Sequence, residues 1–173
     1  MHKIKEIIIW FLSKIFKLAK QAYQLNIYNE YRKKYNIHKS FIFNGNCILM
    51  YGNGIINIGE NTYIGRNSIL QVSSPCELKI GKNCKIGPSF SLWTHSSKVD
   101  FDYNYDEKIE PKIGNIIIGD AVWIGANVVI SPGITIGNNS IIGANSVVCK
   151  DVPENAIVGG VPARIIRFKK FNN

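Results

Sequence analysis

Among the side chains able to take part in chemistry, His95 has the most suggestive surroundings. It stands near the start of a stretch, residues 92–117, where aromatic and acidic groups collect: Trp93, Asp100, Phe101, Asp102, Tyr103, Tyr105, Asp106 and Glu107. An imidazole gains and loses a proton near neutral pH, so acid–base work is within its reach. His2 and His38 lie outside this stretch and read as surface or structural residues. Cys47, Cys76, Cys84 and Cys149 are scattered with no CxxC pair, and one histidine in the region offers zinc too few ligands, so no metal site is expected. Ser96 and Ser97 follow the histidine without a GxSxG elbow, and the cysteines lie where size alone explains them. A covalent serine or cysteine intermediate is therefore not indicated.

The elements that must hold His95 are unusually regular. IGENTY (58–63), IGRNSI (64–69), IGKNCK (80–85), IGDAVW (118–123), IGANVV (124–129), IGNNSI (136–141) and IGANSV (142–147) are near copies. The six-residue phase runs unbroken through Ile118, Ile124, Ile130, Ile136, Ile142 and Val148. Such a period is the mark of a solenoid. Strand alternation points position 5 of one hexad and position 1 of the next to the same side. Small or medium residues (Thr62, Ser68, Cys84, Val122, Val128, Ser140, Ser146) thus alternate inward with large aliphatics. Glycine at position 2 and asparagine at position 4 fall between strands and predict bends, glycine for its open dihedrals and asparagine for its tolerance of the left-handed region. Three strand-and-bend units close one triangular coil, with coils stacked at about 4.8 Å. A nucleotide-binding α/β fold is excluded, because no helix-period segment separates the strands.

Length and charge bound the rest. One domain is expected from 173 residues. The net charge of +9 gathers largely in Lys3 to Lys39 and in Arg164, Arg167, Lys169 and Lys170. A surface of that sign attracts phosphate, acidic sugar or anionic lipid. No finger, RNA-binding-sheet or GxxG signature accompanies it, so nucleic acid is not an expected partner. Ile4, Ile7, Ile8, Phe11, Leu12, Ile15 and Phe16 recur at helical steps among lysines, and two roles are open to that amphipathic helix: capping or subunit packing, or peripheral membrane contact through residues 1–20. Its longest wholly apolar run, from Ile7 to Leu12, is too short to cross a bilayer and no cleavage site follows promptly, so a cytoplasmic protein is expected, with the inner membrane face as the variant. The organisation read here is a basic helical segment over 1–40, a β-helix over 41–160 with a projecting loop at 93–117, and a basic extension over 161–173.

The hexads, the THS element holding His95, the VWIG element at 122–125 and the GGVPAR element at 159–164 resemble, over about residues 45–168, the hexapeptide-repeat acyltransferases. The branch with maltose, galactoside and polysaccharide O-acetyltransferases is the most similar. The resemblance implies an all-β solenoid, a left-handed parallel β-helix, and a homotrimer with active sites between subunits. It implies acetyl-CoA as donor and a sugar or glycan acceptor, such as a capsule or lipopolysaccharide precursor. By its place in the THS element His95 is implied to be the general base, taking the acceptor hydroxyl's proton as that oxygen attacks the thioester. Trp123 is implied to lie beside the pantetheine arm, with the amides of Ala126 and Ala144 open to it. Arg164 is the first choice to meet CoA phosphate, with Lys169 beside it. Relatives often place an acidic residue or second histidine soon after the base, whereas Ser96, Ser97 and Lys98 follow here. The carboxylate orienting His95 is thus open among Asp100, Asp102 and Glu110. An antibiotic or amino-sugar N-acetyltransferase of the same fold, or a non-catalytic β-helix scaffold, are the alternatives.

Overall fold

The computed structural model describes residues 2–97 and 111–171. They fall into two compact units, Met1–Lys34 and Tyr35–Asn173. The first is one helix, α1, His2–Lys34. No glycine or proline interrupts that stretch, and Arg32, Lys33 and Lys34 in its last turn suit the negative end of the helix dipole.

The second unit is a parallel β-solenoid. Its first face stacks Asn36–Ile37, Ile55–Ile58, Glu77–Ile80, Ile116–Ile118 and Thr135–Ile136. Its second face stacks Ile42–Asn44, Tyr63–Gly65, Lys85–Ile86, Trp123–Ile124 and Ile141–Ile142, and is extended by Ala156–Gly160 and Ala163–Phe168. Its third stacks Leu49–Tyr51, Ile69–Gln71, Ser91–Trp93, Val129–Ile130 and Val147–Val148. The chain visits the three faces in turn, once per coil, for five coils. The first coil opens at Asn36, well upstream of the hexads that announce the fold.

The interior follows the alternation read from the sequence. Ile64, Ile86, Ile118, Ile124, Ile130, Ile136 and Ile142 are buried, and so is the intervening column of Thr62, Ser68, Cys84, Val122, Val128, Ser140 and Ser146. The hydroxyls of that column are satisfied by backbone. Thr62 Oγ1 donates to Gly81 O at 2.8 Å and accepts from Cys84 N at 3.0 Å, which ties one coil to the next. All six position-4 asparagines, Asn61, Asn67, Asn83, Asn127, Asn139 and Asn145, hold φ between 53° and 59°. The position-2 glycines are there for a different reason from the one expected. None of them has positive φ; instead, a Cβ on Gly65 would lie 2.5 Å from Pro88 N and one on Gly125 2.6 Å from Ala144 N. Except at Gly143, where nothing would lie closer than 3.4 Å, they are small because the next coil passes directly against them.

The first coil runs to 20 or 21 residues, with Leu49 paired to Ile69 and Ile42 to Tyr63, and two larger insertions lengthen later coils. Trp123 pairs with Ile141, eighteen residues on, the spacing of three uninterrupted hexads. Ile69 pairs with Ser91, because residues around Ser73–Pro75 are added to that coil. Lys85 pairs with Trp123, across the segment that contains residues 98–110. Because both insertions leave and re-enter at the corner between the third and first faces, the stack above and below keeps its register.

Candidate functional site

Thr94 is the residue that fixes the root of the interruption. It is fully buried. Its N–H donates to Gln71 O at 3.1 Å, its Oγ1 accepts from Ser73 N at 3.0 Å, and its carbonyl accepts from Gly114 N at 2.9 Å. One residue, through its side chain and its backbone, therefore ties the small insertion of the coil above to both ends of the large one. His95 and Ser96 then pair antiparallel with Ile113 and Lys112. The histidine is held on a two-stranded root rather than on a free loop, which limits the motion of its ring.

Half-buried His95 borders a cavity of about 400 Å³ lined also by Gln71, Trp93, Ser96, Ser97 and the segment Val129 to Pro132. Ser73 Oγ lies 3.4 Å from His95 Nδ1, a long contact that still directs this nitrogen at the serine. With the Nδ1 proton given to Ser73, Nε2 carries a free lone pair, and no hydrogen bond is made to it among the described residues. An imidazole in that tautomer can accept a proton. Asp100, Asp102 and Glu110, the carboxylates expected to orient the ring, lie outside the described residues, as do Phe101, Tyr103 and Tyr105. Ser73 is a partner that reading the sequence missed. The signal was present: the hexad phase slips between Ile69 and Ile80, where QVSSPCELK stands in place of clean repeats.

The expected cofactor-contact residues gather elsewhere. Trp123 projects from the second face between Lys85 and Ile141 and is 55 % exposed. Ala126 and Ala144 follow Gly125 and Gly143 at the corner between the second and third faces, on consecutive coils. Neither amide donates a hydrogen bond among the described residues, whereas the next residue on each coil does, Asn127 N to Pro88 O and Asn145 N to Ala126 O. Two N–H groups without an acceptor among the described residues are thus left one coil apart. Arg164 pairs with Gly159 at the tip of the terminal hairpin, toward that same corner, with its side chain exposed. Lys169 falls at the opposite edge of the face, because the return strand runs antiparallel: its N–H donates to Asn155 O, and its Nζ to Asn139 Oδ1. Partial desolvation there pulls its amine below the ordinary lysine value. Ala126, Ala144 and Arg164 are therefore brought to one corner with Trp123 on the adjoining face. Lys169 is not, and His95 is at a different corner, with the third face between.

Burial removes Cys84 as a competing nucleophile. Cys84 is fully enclosed, its Sγ–H donates to Gly119 O at 3.0 Å, and desolvation pushes the thiol above its ordinary value, which suppresses the reactive thiolate. All four cysteines are free. No cluster of histidine, cysteine or carboxylate groups able to hold a metal exists among the described residues.

Fold and repeats together define a hexapeptide-repeat protein. The family model of the bacterial transferase hexapeptide (six repeats) matches residues 115–150. A hexapeptide-repeat-containing acetyltransferase of Vibrio cholerae, solved in complex with acetyl coenzyme A, is 35% identical, superposes with a TM-score of 0.63, and is covered over 76% of its chain by 83% of this one. The chain belongs to the hexapeptide-repeat acetyltransferase family. It is also 41% identical over 117 residues to the galactoside O-acetyltransferase of Escherichia coli K12, a match over 68% of this chain and 55% of that protein. To the putative lipopolysaccharide biosynthesis O-acetyl transferase WbbJ of the same organism it is 34% identical over 130 residues, 71% of this chain and 64% of the relative. The chain thus spans a little over half the length of the curated relatives it matches.

Proposed function

We propose that this chain is an acetyl-CoA-dependent O-acetyltransferase that esterifies a hydroxyl of a sugar or surface-polysaccharide precursor in the cytoplasm. The observation that carries the reading is His95. It is half-buried, directed by Ser73 at Nδ1, and borders a sugar-sized cavity in a fold whose Vibrio relative holds acetyl coenzyme A. The named activities of the galactoside and lipopolysaccharide relatives favour oxygen over nitrogen as the acceptor atom.

In the reaction His95 Nε2 accepts the acceptor's hydroxyl proton as that oxygen bonds to the acetyl carbon. The carbon–sulfur bond then breaks, and the imidazolium returns the proton to the departing thiolate, so the residue ends as it began. General-base assistance of this kind is worth about 100- to 10,000-fold. Trp93 offers a flat apolar surface beside the base on which a sugar face can stack. The unbonded amides of Ala126 and Ala144 suit the pantetheine amides, Trp123 the arm itself, and Arg164 a CoA phosphate, while Lys169, at the opposite edge of the face and bonded to Asn139, is left out of this group. Because this corner and His95 are separated by a whole face of one solenoid, we place the complete site between two copies of the chain, in a homotrimer.

The test is a panel of nucleotide sugars, free sugars, amino sugars and isolated polysaccharide. Thiol release from acetyl-CoA is followed and the new bond mapped by NMR. An ester is expected with at least one sugar. His95→Ala should abolish transfer while CoA still binds. Amide products alone, or unimpaired transfer by His95→Ala, would overturn the proposal.

A further inference from the structure

The transfer proposed above uses no residue of α1, yet the helix has a specific pattern. At about 100° per residue, Ile4, Ile8, Phe11, Leu12, Ile15 and Phe16 spread over roughly a third of the helix circumference, and Ile7, Ile9 and Leu18 widen the apolar arc to more than half. These side chains are 48–70 % exposed. A strict coiled-coil seam uses only the narrow a and d stripe, so an arc this wide is more than one neighbouring helix would cover. Lys3, Lys14, Lys17 and Lys20 lie on the remaining arc, Lys5 carries a further charge on a stem long enough to reach its edge, and Glu6 is the single acid among residues 1–20. Trp10 stands among these lysines, with Lys14 Nζ 5.4 Å from its ring centroid. Beyond Leu25 the apolar arc is broken by Asn26, Asn29, Glu30 and Lys33. Among the described residues, no helix is long and apolar enough to cross a membrane.

A broad apolar half bordered by lysines matches one kind of environment: hydrocarbon on one side and negatively charged headgroups level with the boundary. We propose that the first two-thirds of α1 lies flat in the surface of an anionic lipid bilayer, its isoleucines and phenylalanines in the acyl boundary and its lysines among the phosphates. The length fits, since residues 4–25 span about 33 Å of helix parallel to the surface at 1.5 Å per residue. A second copy of α1 as occupant accounts for part of the apolar arc but not for five lysines facing one another around it.

The experiment is co-sedimentation of the full chain with vesicles of phosphatidylcholine alone and of phosphatidylcholine with phosphatidylglycerol, at low and high salt. Oligomeric state is measured in parallel by light scattering. Binding is expected only with the anionic vesicles and should weaken with salt. Replacing Lys14 and Lys17 with glutamine should lower partitioning about 5-fold per lysine, about 25-fold together. Phe11→Asp with Ile15→Asp should abolish binding while leaving the oligomeric state and acetyl-CoA binding unchanged. Equal binding to neutral vesicles, no binding to anionic ones, or a change of oligomeric state in place of lost vesicle binding would each overturn the proposal. None of these readouts depends on the acceptor or on turnover.

Discussion

Ser73→Ala tests how the base is held. The serine hydroxyl is the described partner of His95 Nδ1, at 3.4 Å. Its removal frees the imidazole to put its proton on either nitrogen and to turn about its bond to Cβ. A neutral hydrogen bond contributes about 0.5–1.5 kcal/mol net, and the length of this one places it toward the lower half of that range. Spent on selecting the reactive tautomer, it corresponds to a loss of about 2- to 6-fold in kcat, with the KM for acetyl-CoA unchanged because the serine acts through His95 and is not among the groups assigned to CoA. Ser73→Asp separates orientation from mere packing. A carboxylate beside an imidazole favours its charged form, so the acid limb of the kcat/KM profile should move to higher pH, while the rate on the plateau is kept or raised. The assays are the pH–rate profiles of both variants and the ¹⁵N chemical shifts of the His95 ring. If Ser73→Ala leaves kcat and the ring shifts as they were, or if Ser73→Asp leaves the acid limb in place, Ser73 does not position the base.

Gly125→Ala and Gly143→Ala form a matched pair. The first drives a Cβ to 2.6 Å from the Ala144 nitrogen, whereas the second meets nothing closer than 3.4 Å. Urea unfolding should show a loss of about 1–3 kcal/mol for Gly125→Ala, typical of overpacking, and little change for Gly143→Ala. Equal losses would mean that coil contact is not what selects glycine there. Because burial raises the Cys84 thiol above its ordinary value of 9.0, the folded chain keeps that proton where the unfolded chain releases it. Stability should therefore fall as pH rises above about 9, and part of that fall should be absent from Cys84→Ser, which places a hydroxyl in the stack that already holds Thr62 and Ser140. Native thiol titration should likewise reach Cys47 and Cys149 long before Cys76 and Cys84.

Much of this protein could be read directly because its order is local and repeated. A hexad specifies its inward isoleucine, its small column residue and its left-handed asparagine within six positions, and all three were legible at Ile124, Val128 and Asn127. The first coil was harder to see. Phe41, Ile48 and Met50 are as deeply buried as any hexad isoleucine, but irregular spacing hides their period. Thr94 and His95 stood out because they interrupt a pattern.

What only the stacking of coils decided concerns neighbours far apart in sequence. Ser73 meets His95 because twenty-two residues happen to make one coil there. Gly125 must be glycine because of Ala144, one coil away. Lys169 and Arg164 belong to one basic tail in the sequence, yet the antiparallel return of the terminal strand sends them to opposite edges of a face. A linear pattern specifies which way each side chain points, since that depends on the dihedrals of a few adjacent residues. Which groups converge depends on how many residues each coil consumes, and that sum over insertions is settled only when the coils close and pack.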